Sequence, residues 1–249
     1  TEIFLDDEKN KVKSIKLKNK GEYEIHSYDY IISSMPISEL MLSISGKNKI
    51  KIFPESLQEI AYNLPYRDFI TVGLLLNHIH TPNGDDLDDT WIYVQESDVK
   101  VGRLQIFNNW SPYLVANKDK KWVGLEFFCQ EGDEIWSLNN SELISLAKNE
   151  LQKLKLCGPD DFIDGTVIRE KKTYPAYFDS YVNFDLLKNK FDEIENLFLI
   201  GRNGMHKYNN QDHSMLTGFR AAELIYKGET SKKDKKMLWE INAEQDYHE

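Results

Sequence analysis

Along residues 11–19 (KVKSIKLKN) apolar and polar positions alternate, with Val12, Ile15 and Leu17 on a lysine-rich ribbon, and a Gly turn (KGEY) leads into a second run. The pattern predicts a small β-unit with one wet face. Next, YDYIISSMP is more continuously apolar; Tyr30-Ile31-Ile32 reads as a strand covered on both faces and stopped by Pro36. Residues 38–63 mix short helical patterns with a basic loop at 47–51, and Pro54 ahead of ESLQEIAYNL marks a helix start. Strand signals at 69–76, 91–94, 103–107 and 122–129, separated by polar turns, predict an antiparallel sheet. A helix over 141–156 should pack on it, because Leu143, Leu146, Ala147, Leu151 and Leu154 recur at helical spacing, Asn140 or Ser141 can cap, and Gly158-Pro159 ends the run. Residues 162–173 read as a further strand, Tyr174-Pro175 as a bend and 185–192 as a short helix or turn.

The most informative segment is 197–226, LFLIGRNGMHKYNNQDHSMLTGFRAAELIY: an apolar strand, a glycine, a polar loop, and an apolar helix ending near Gly228. Asp212 can cap that helix. Met215, Phe219, Ala222 and Tyr226 fall on one stripe, and Leu216, Ala221, Leu224 and Ile225 widen the apolar surface enough to bury two sides. A polar loop at the carboxyl end of a buried strand, facing the free N–H groups of a helix, suits an anionic or electron-rich ligand.

Composition narrows the classes. Over 249 residues, 31 Lys and Arg against 41 Asp and Glu give a net charge of −10, which disfavours a nucleic-acid partner. No apolar stretch approaches the ~20 residues of a membrane span. Two cysteines, Cys129 and Cys157, lack CxxC spacing, so neither a disulfide scaffold nor a cysteine-zinc site is indicated and a cytoplasmic location fits. His78 and His80 ahead of Asp85, Asp86, Asp88 and Asp89 lack calcium-loop spacing and read as a surface turn. No metal site is expected.

The segment LFLIGR…YNNQDHSMLTGFRAAELI resembles the C-terminal flavin-contacting part of the FAD-dependent amine oxidase and protoporphyrinogen oxidase superfamily, and UDP-galactopyranose mutases resemble it too. In the mutases a strand ends in Gly-Arg, a Tyr follows six residues later, and an acidic triplet opens the last helix. Gly201-Arg202, Tyr208 and Asn210-Gln211-Asp212 fall at those places. The YDYIISSMP strand and Tyr174-Pro175-Ala176-Tyr177 resemble two further family segments. The family's GxGxxG fingerprint is absent; with the non-methionine start, this suggests a C-terminal fragment that alone binds FAD weakly or not at all and is inactive.

The resemblance implies an α+β fold: an antiparallel-sheet substrate domain with packed helices over 37–180, and parts of a Rossmann-like FAD-binding domain at 1–36 and 181–228. A charged tail, read as a solvated end helix or disorder, follows at 229–249. FAD would meet Gly201, Arg202, Asn210, Gln211 and Asp212, and the amides of Ser214, Met215 and Leu216 would face the flavin N1 and C2 carbonyl, where negative charge gathers on reduction. Thr217 is a weaker candidate. Tyr208 would either orient a small-molecule substrate or be a buried aromatic with its hydroxyl satisfied. Asn210 replaces an acid of the mutases, which counts against mutase chemistry. His206 and His213 are either proton carriers or hydrogen-bonding spacers. The aromatics Trp91, Tyr93, Phe107, Trp110, Tyr113, Trp122, Phe127 and Phe128 would divide between core and a pocket lining. Three functions stay open: hydride transfer from a substrate C–H to flavin; a nucleotide-sugar mutase, for which Arg67, Arg103 and Arg169 are the spare cations; or a non-catalytic binding domain.

Overall fold

The computed structural model describes residues 1–6, 8–46 and 49–243. The chain forms two compact units, Thr1–Tyr66 with Tyr174–Glu249, and Arg67–Thr173. The sequence reading drew its boundaries instead at 36 and 180. Residues 37–66 fall in the first unit because Ile37, Leu40, Met41 and Phe53 are buried in one core with Phe191 and Phe198.

Following the chain, β1 (Glu2–Leu5), β2 (Val12–Asn19) and β3 (Glu22–His26) form an antiparallel ribbon, and β4 (Ile31–Ser33) leads into α1 (Ile37–Ser43). The two-residue β5 (Ile44–Ser45) joins β1 in parallel, giving the order β3-β2-β1-β5. Two helices close this stretch, α2 (Lys49–Ile52) and α3 (Glu55–Tyr62), the second N-capped by Pro54. The rest of the basic loop, Lys47 included, lies outside the described residues, as do the last six residues of the tail.

The second unit is a five-stranded sheet in the order β10-β6-β9-β8-β7. Its strands are β6 (Tyr66–Leu76), β7 (Trp91–Tyr93), β8 (Arg103–Ile106), β9 (Lys121–Cys129) and β10 (Phe162–Pro175). The short helices α4 (Phe107–Trp110) and α5 (Glu134–Ser137) sit at strand ends. Helix α6 (Asn140–Lys153) packs Leu143, Ala147 and Leu151 against Ile70, Val72, Leu74, Val123, Leu125 and Phe127 of the sheet. Its cap is Asn139, one residue before the expected positions, because Asn139 and Glu142 complete a reciprocal capping box. Phe107 opens a helix instead of ending a strand, and Tyr174-Pro175 continues β10 where a bend was expected. Cys129 and Cys157 are buried free thiols, and burial pushes both thiol pKa values up to about 11.

Back in the first unit, a 3-10 turn (Asp179–Asn183) precedes α7 (Phe184–Asp192), and β11 (Leu197–Leu199) pairs in parallel with β4. Then come α8 (Gly201–Gly204), α9 (Gln211–Lys227) and α10 (Lys232–Trp239). The last is the end helix expected in the tail, but it is docked and not solvated: Lys235, Leu238 and Trp239 are buried. Expectation also fails at β4. Ile32 is 44% exposed, because among the described residues β4 pairs with β11 alone and one face of this two-stranded sheet is open. No described helix is long and apolar enough to cross a membrane.

Helix α8 rides directly on β4: a Cβ built at Gly204 would lie 2.6 Å from the Ser33 carbonyl oxygen. Gly204→Ala should therefore cost about 1–3 kcal/mol in urea denaturation. Gly218→Ala, whose Cβ would meet nothing nearer than Ile200 Cδ1 at 3.8 Å inside α9, should be neutral or stabilising. Equal losses at the two sites would contradict this packing.

Candidate functional site

All three residues of β11 are buried, and the strand ends where Ile200 N donates to the Ser33 carbonyl at 3.0 Å. Gly201 then turns the chain at φ 74, a conformation that favours glycine, and its N–H donates to Thr217 Oγ1 on α9 at 2.9 Å. Thr217 is fully buried. The strand, the turn and the last long helix are thus fixed to each other by backbone-directed bonds.

The loop between α8 and α9 is laced onto Tyr174 and Tyr177 of the same unit. Tyr208 N donates to the Tyr177 hydroxyl at 2.6 Å, and the Tyr208 ring stacks on Tyr174 at 5.5 Å and 13°. The Arg202 guanidinium lies against both rings, 4.5 Å from the Tyr208 centroid and 5.1 Å from that of Tyr174. Each such contact contributes about 0.5–2 kcal/mol. Arg202 Nε also donates to the Asn209 carbonyl at 2.9 Å, and Nη2 lies 3.5 Å from Asn210 Oδ1. The cation is held in place by rings and amides.

Beneath this layer His206 is wholly buried, at φ 46, among Tyr66, Tyr177, Tyr181 and Phe184. Its Nε2 is 3.1 Å from the Ala176 carbonyl, which can only accept, so Nε2 carries the proton and Nδ1 is the bare nitrogen. Nδ1 is buried without a hydrogen-bond partner. Burial pushes the imidazole pKa down to about 4, against the opposing bond to Ala176. Buried and bonded to the Ala176 carbonyl, the imidazole has the setting of a hydrogen-bonding spacer. His213 sits at the third position of α9, where its Nδ1 accepts the Asn210 N–H at 3.3 Å.

A recess of ≈ 450 Å³ opens above the start of α9, lined by Arg202, Asn209, Asn210, Gln211, Ser214 and Met215. Five of these were expected from sequence. Gly201 is buried behind the recess, Leu216 lies outside its lining, and the Asp212 side chain is 78% exposed, 3.6 Å from His213. The helix starts earlier than expected: Asn210, not Asp212, is the N-cap, and Ser214 N already donates to Asn210 O at 2.9 Å. The orphan donors at this terminus therefore belong to Gln211 and Asp212, in place of the Ser214, Met215 and Leu216 amides, which lie inside the helix. Among the described residues no acidic side chain lines the recess, and Arg202 with the positive end of a 17-residue helix suits an anionic or electron-rich group.

Asn209 was missed from sequence. It is 1% exposed, and its Nδ2 donates to the Gly201 carbonyl at 3.3 Å while its own carbonyl receives Arg202. Only its place inside an Asn-Asn pair could have drawn attention to it. On α9 the expected apolar surface is only half buried: Ala221 and Leu224 face the core as expected, with Thr217, whereas Met215, Phe219 and Tyr226 are 62%, 67% and 92% exposed.

In the second unit, cross-strand pairing sets Trp91 opposite Gln105 and Tyr93 opposite Arg103, on the face away from α6. Arg103 is 5% exposed, bonded through Nε to Glu126 at 2.6 Å and lying 4.8 Å from both the Trp91 and Phe128 rings. Of the expected aromatics, Phe127 is core and Tyr113 is exposed. Arg169 is bonded to Asn140 and to the Leu138 carbonyl, and Arg67 is exposed. His78 bonds Asp161 while His80 bonds the Thr81 carbonyl, so the pair does not converge. Among the described residues no three His, Cys, Asp or Glu side chains form a cluster that could hold a metal.

No protein-family model and no curated protein matches the sequence. The fold, however, is shared with solved structures. A reduced UDP-galactopyranose mutase superposes with a TM-score of 0.74 at 23% identity, over 97% of this chain and 49% of that one. A protein from Exiguobacterium sp. 255-15, provisionally assigned as a protoporphyrinogen oxidase, gives 0.57 at 13% identity over 90% and 46%. An oxidoreductase from Methanosarcina mazei gives 0.52 at 11% identity over 82% and 43%. At these identities the likeness is one of fold, and the chain spans about half the length of each structure it matches.

The buried imidazole makes stability pH-dependent. Its folded pKa of about 4 lies below the unfolded value near 6.5, so between these limits the unfolded chain binds more protons and stability falls as pH falls. Urea denaturation from pH 6.5 to 4 should show a loss on the order of 2–3 kcal/mol that His206→Gln lacks. Parallel curves for the two proteins would place the acid sensitivity elsewhere.

Proposed function

We propose that this chain is the substrate-binding and C-terminal part of an FAD-dependent oxidoreductase, working with a GxGxxG nucleotide-binding half to complete the cofactor site. The observation that carries this reading is the recess at the start of α9, lined among the described residues by amides, a hydroxyl and Met215, with Arg202 held over it at the carboxyl end of a parallel strand. Bound FAD would supply two-electron chemistry, taking a hydride from a substrate C–H. This chain's own residues would orient the flavin ring. Arg202 and the Gln211 and Asp212 amides would oppose charge at its N1 and C2 carbonyl, and Asn209, Asn210 and Ser214 would offer hydrogen bonds without adding negative charge. Met215 would close the rim and keep water from the ring edge.

Two further features support a missing half. The open face of β4 at Ile32 and the exposed Met215, Phe219 and Tyr226 of α9 form apolar surface of the kind a domain normally covers. The matched chains are also about twice as long as this one. The aromatic face carrying Trp91, Tyr93 and Phe128 around Arg103 suits contact with a small-molecule substrate. A mutase acting on a nucleotide sugar is the second reading, favoured by Tyr208 at the mutase position and in contact with Arg202. Asn210 in place of an acid weighs against it.

The test is visible absorbance of this chain preceded by its nucleotide-binding half, purified with FAD. Bound flavin is expected, with Arg202→Ala weakening binding roughly tenfold, as the loss of one charge-assisted contact implies. Absence of flavin from the extended protein would sink the oxidoreductase and mutase readings together. With flavin bound, bleaching by substrate under anaerobic conditions indicates the oxidoreductase, and turnover only after prior reduction indicates the mutase.

A further inference from the structure

Helix α10 has the sequence KKDKKMLW, which by composition belongs in solvent, yet Lys235 is 1% exposed. Its Nζ donates to the carbonyls of Leu197 at 2.9 Å, Ile194 at 2.5 Å and Asp192 at 3.3 Å, and lies 4.9 Å from the Phe198 ring. Four residues on, Trp239 Nε1 donates to Asp192 Oδ1 at 3.2 Å. The ammonium thus fills a ring of carbonyls at the entry to β11. An anchor this costly to bury fixes where the following residues run.

Those residues reach the loop that borders the recess. Lys207 Nζ donates to the carbonyls of Trp239 at 3.0 Å and Ile241 at 2.5 Å. Asn242 stands at φ 55, a left-handed conformation that Asn tolerates better than most residues. From there its Nδ2 donates to the Tyr208 carbonyl at 2.8 Å and to Asn209 Oδ1 at 3.2 Å. With Oδ1 held by Asn242, the Asn209 amide can present only Nδ2 to Gly201, and its backbone carbonyl is left facing Arg202 Nε. A continuous chain of hydrogen bonds therefore runs from Asn242 through Asn209 to Arg202.

We infer that residues 239–242 are a strap that sets the ligand-facing loop, with Asn242 as a positioning residue acting on Arg202 through Asn209. That the strap serves cofactor binding rests on the flavin reading above; the strap itself does not.

The test uses two substitutions in the full chain. Asn242→Gly keeps the left-handed turn and deletes the amide, while Asn242→Asp keeps the size and replaces the donor with an anion. The readout is solvent exchange of the Arg202 Nε–H, followed by NMR. Both variants should exchange about fivefold faster than the unaltered chain, the factor one net hydrogen bond corresponds to, while exchange of the Leu197 amide beside the Lys235 anchor stays unchanged. Unchanged Arg202 exchange in both variants overturns the strap, and so does equal acceleration at Leu197, which would mean general loosening. In the chain extended by its nucleotide-binding half, FAD affinity should fall severalfold in both variants. Unchanged affinity alongside faster Arg202 exchange overturns the strap's role in the site. An extended protein that binds no flavin even unaltered defeats the flavin reading, and the exchange measurement still decides the strap.

Discussion

The first unit depends on one short piece of parallel pairing. Leu197, Phe198 and Leu199 lie in register with Ile31, Ile32 and Ser33, and Ser33 then accepts the Ile200 N–H at 3.0 Å. Three residues of ladder are little to hold strands separated by well over a hundred positions, so further contacts reinforce both ends. At the entry, Asn196 Oδ1 accepts the Val12 N–H at 2.7 Å, and its Nδ2 donates to the carbonyls of Val12 and Asp29. At the exit, Gly204 lets α8 lie against Ser33 with no side chain between. Everything in the recess is placed relative to this pair, because Gly201, Arg202 and the start of α9 follow it within a dozen residues.

The buried ammonium of Lys235 belongs to the same argument. Burial pushes its pKa down to about 8, with Asp192 opposing, so it remains charged at neutral pH. A charge out of water is tolerated only where several acceptors converge on it. The carbonyls of Asp192, Ile194 and Leu197 converge because the chain bends sharply between α7 and β11. Lysine there does what water would otherwise do for carbonyls that no strand satisfies.

Much of the second unit was legible in the sequence, since its strands and α6 carry strong period-two and period-3.6 patterns around a single core. The Gly-Arg turn after β11 was legible as well, whereas α9 is capped by Asn210, two residues before the Asp212 cap that the sequence suggests. What was not legible traces to contacts between residues remote in sequence. Asn209 and Asn210 are indistinguishable as letters, but one turns inward to Gly201 and the other caps a helix. Lys235 reads as one more lysine of a solvated run until the carbonyls that receive it are known. The exposed stripe of α9 was misjudged for a different reason: periodicity identifies an apolar face but not the partner that covers it. With Thr217 and Ala221 supplying the close packing inside, the larger Met215, Phe219 and Tyr226 are left outside.

The electrostatics of the recess finally separate local from global charge. The protein carries −10 overall, a balance that repels anions at a distance. Screening limits that repulsion to about 8–10 Å in physiological salt, so a ligand inside a recess answers mainly to its walls. Here the walls combine Arg202 and the first turn of α9 with amide and hydroxyl groups, while the Asp212 carboxylate is directed to solvent. Asn210 at the helix cap offers hydrogen bonds without a negative charge that would offset the helix terminus. A site built this way suits an anionic or electron-rich group.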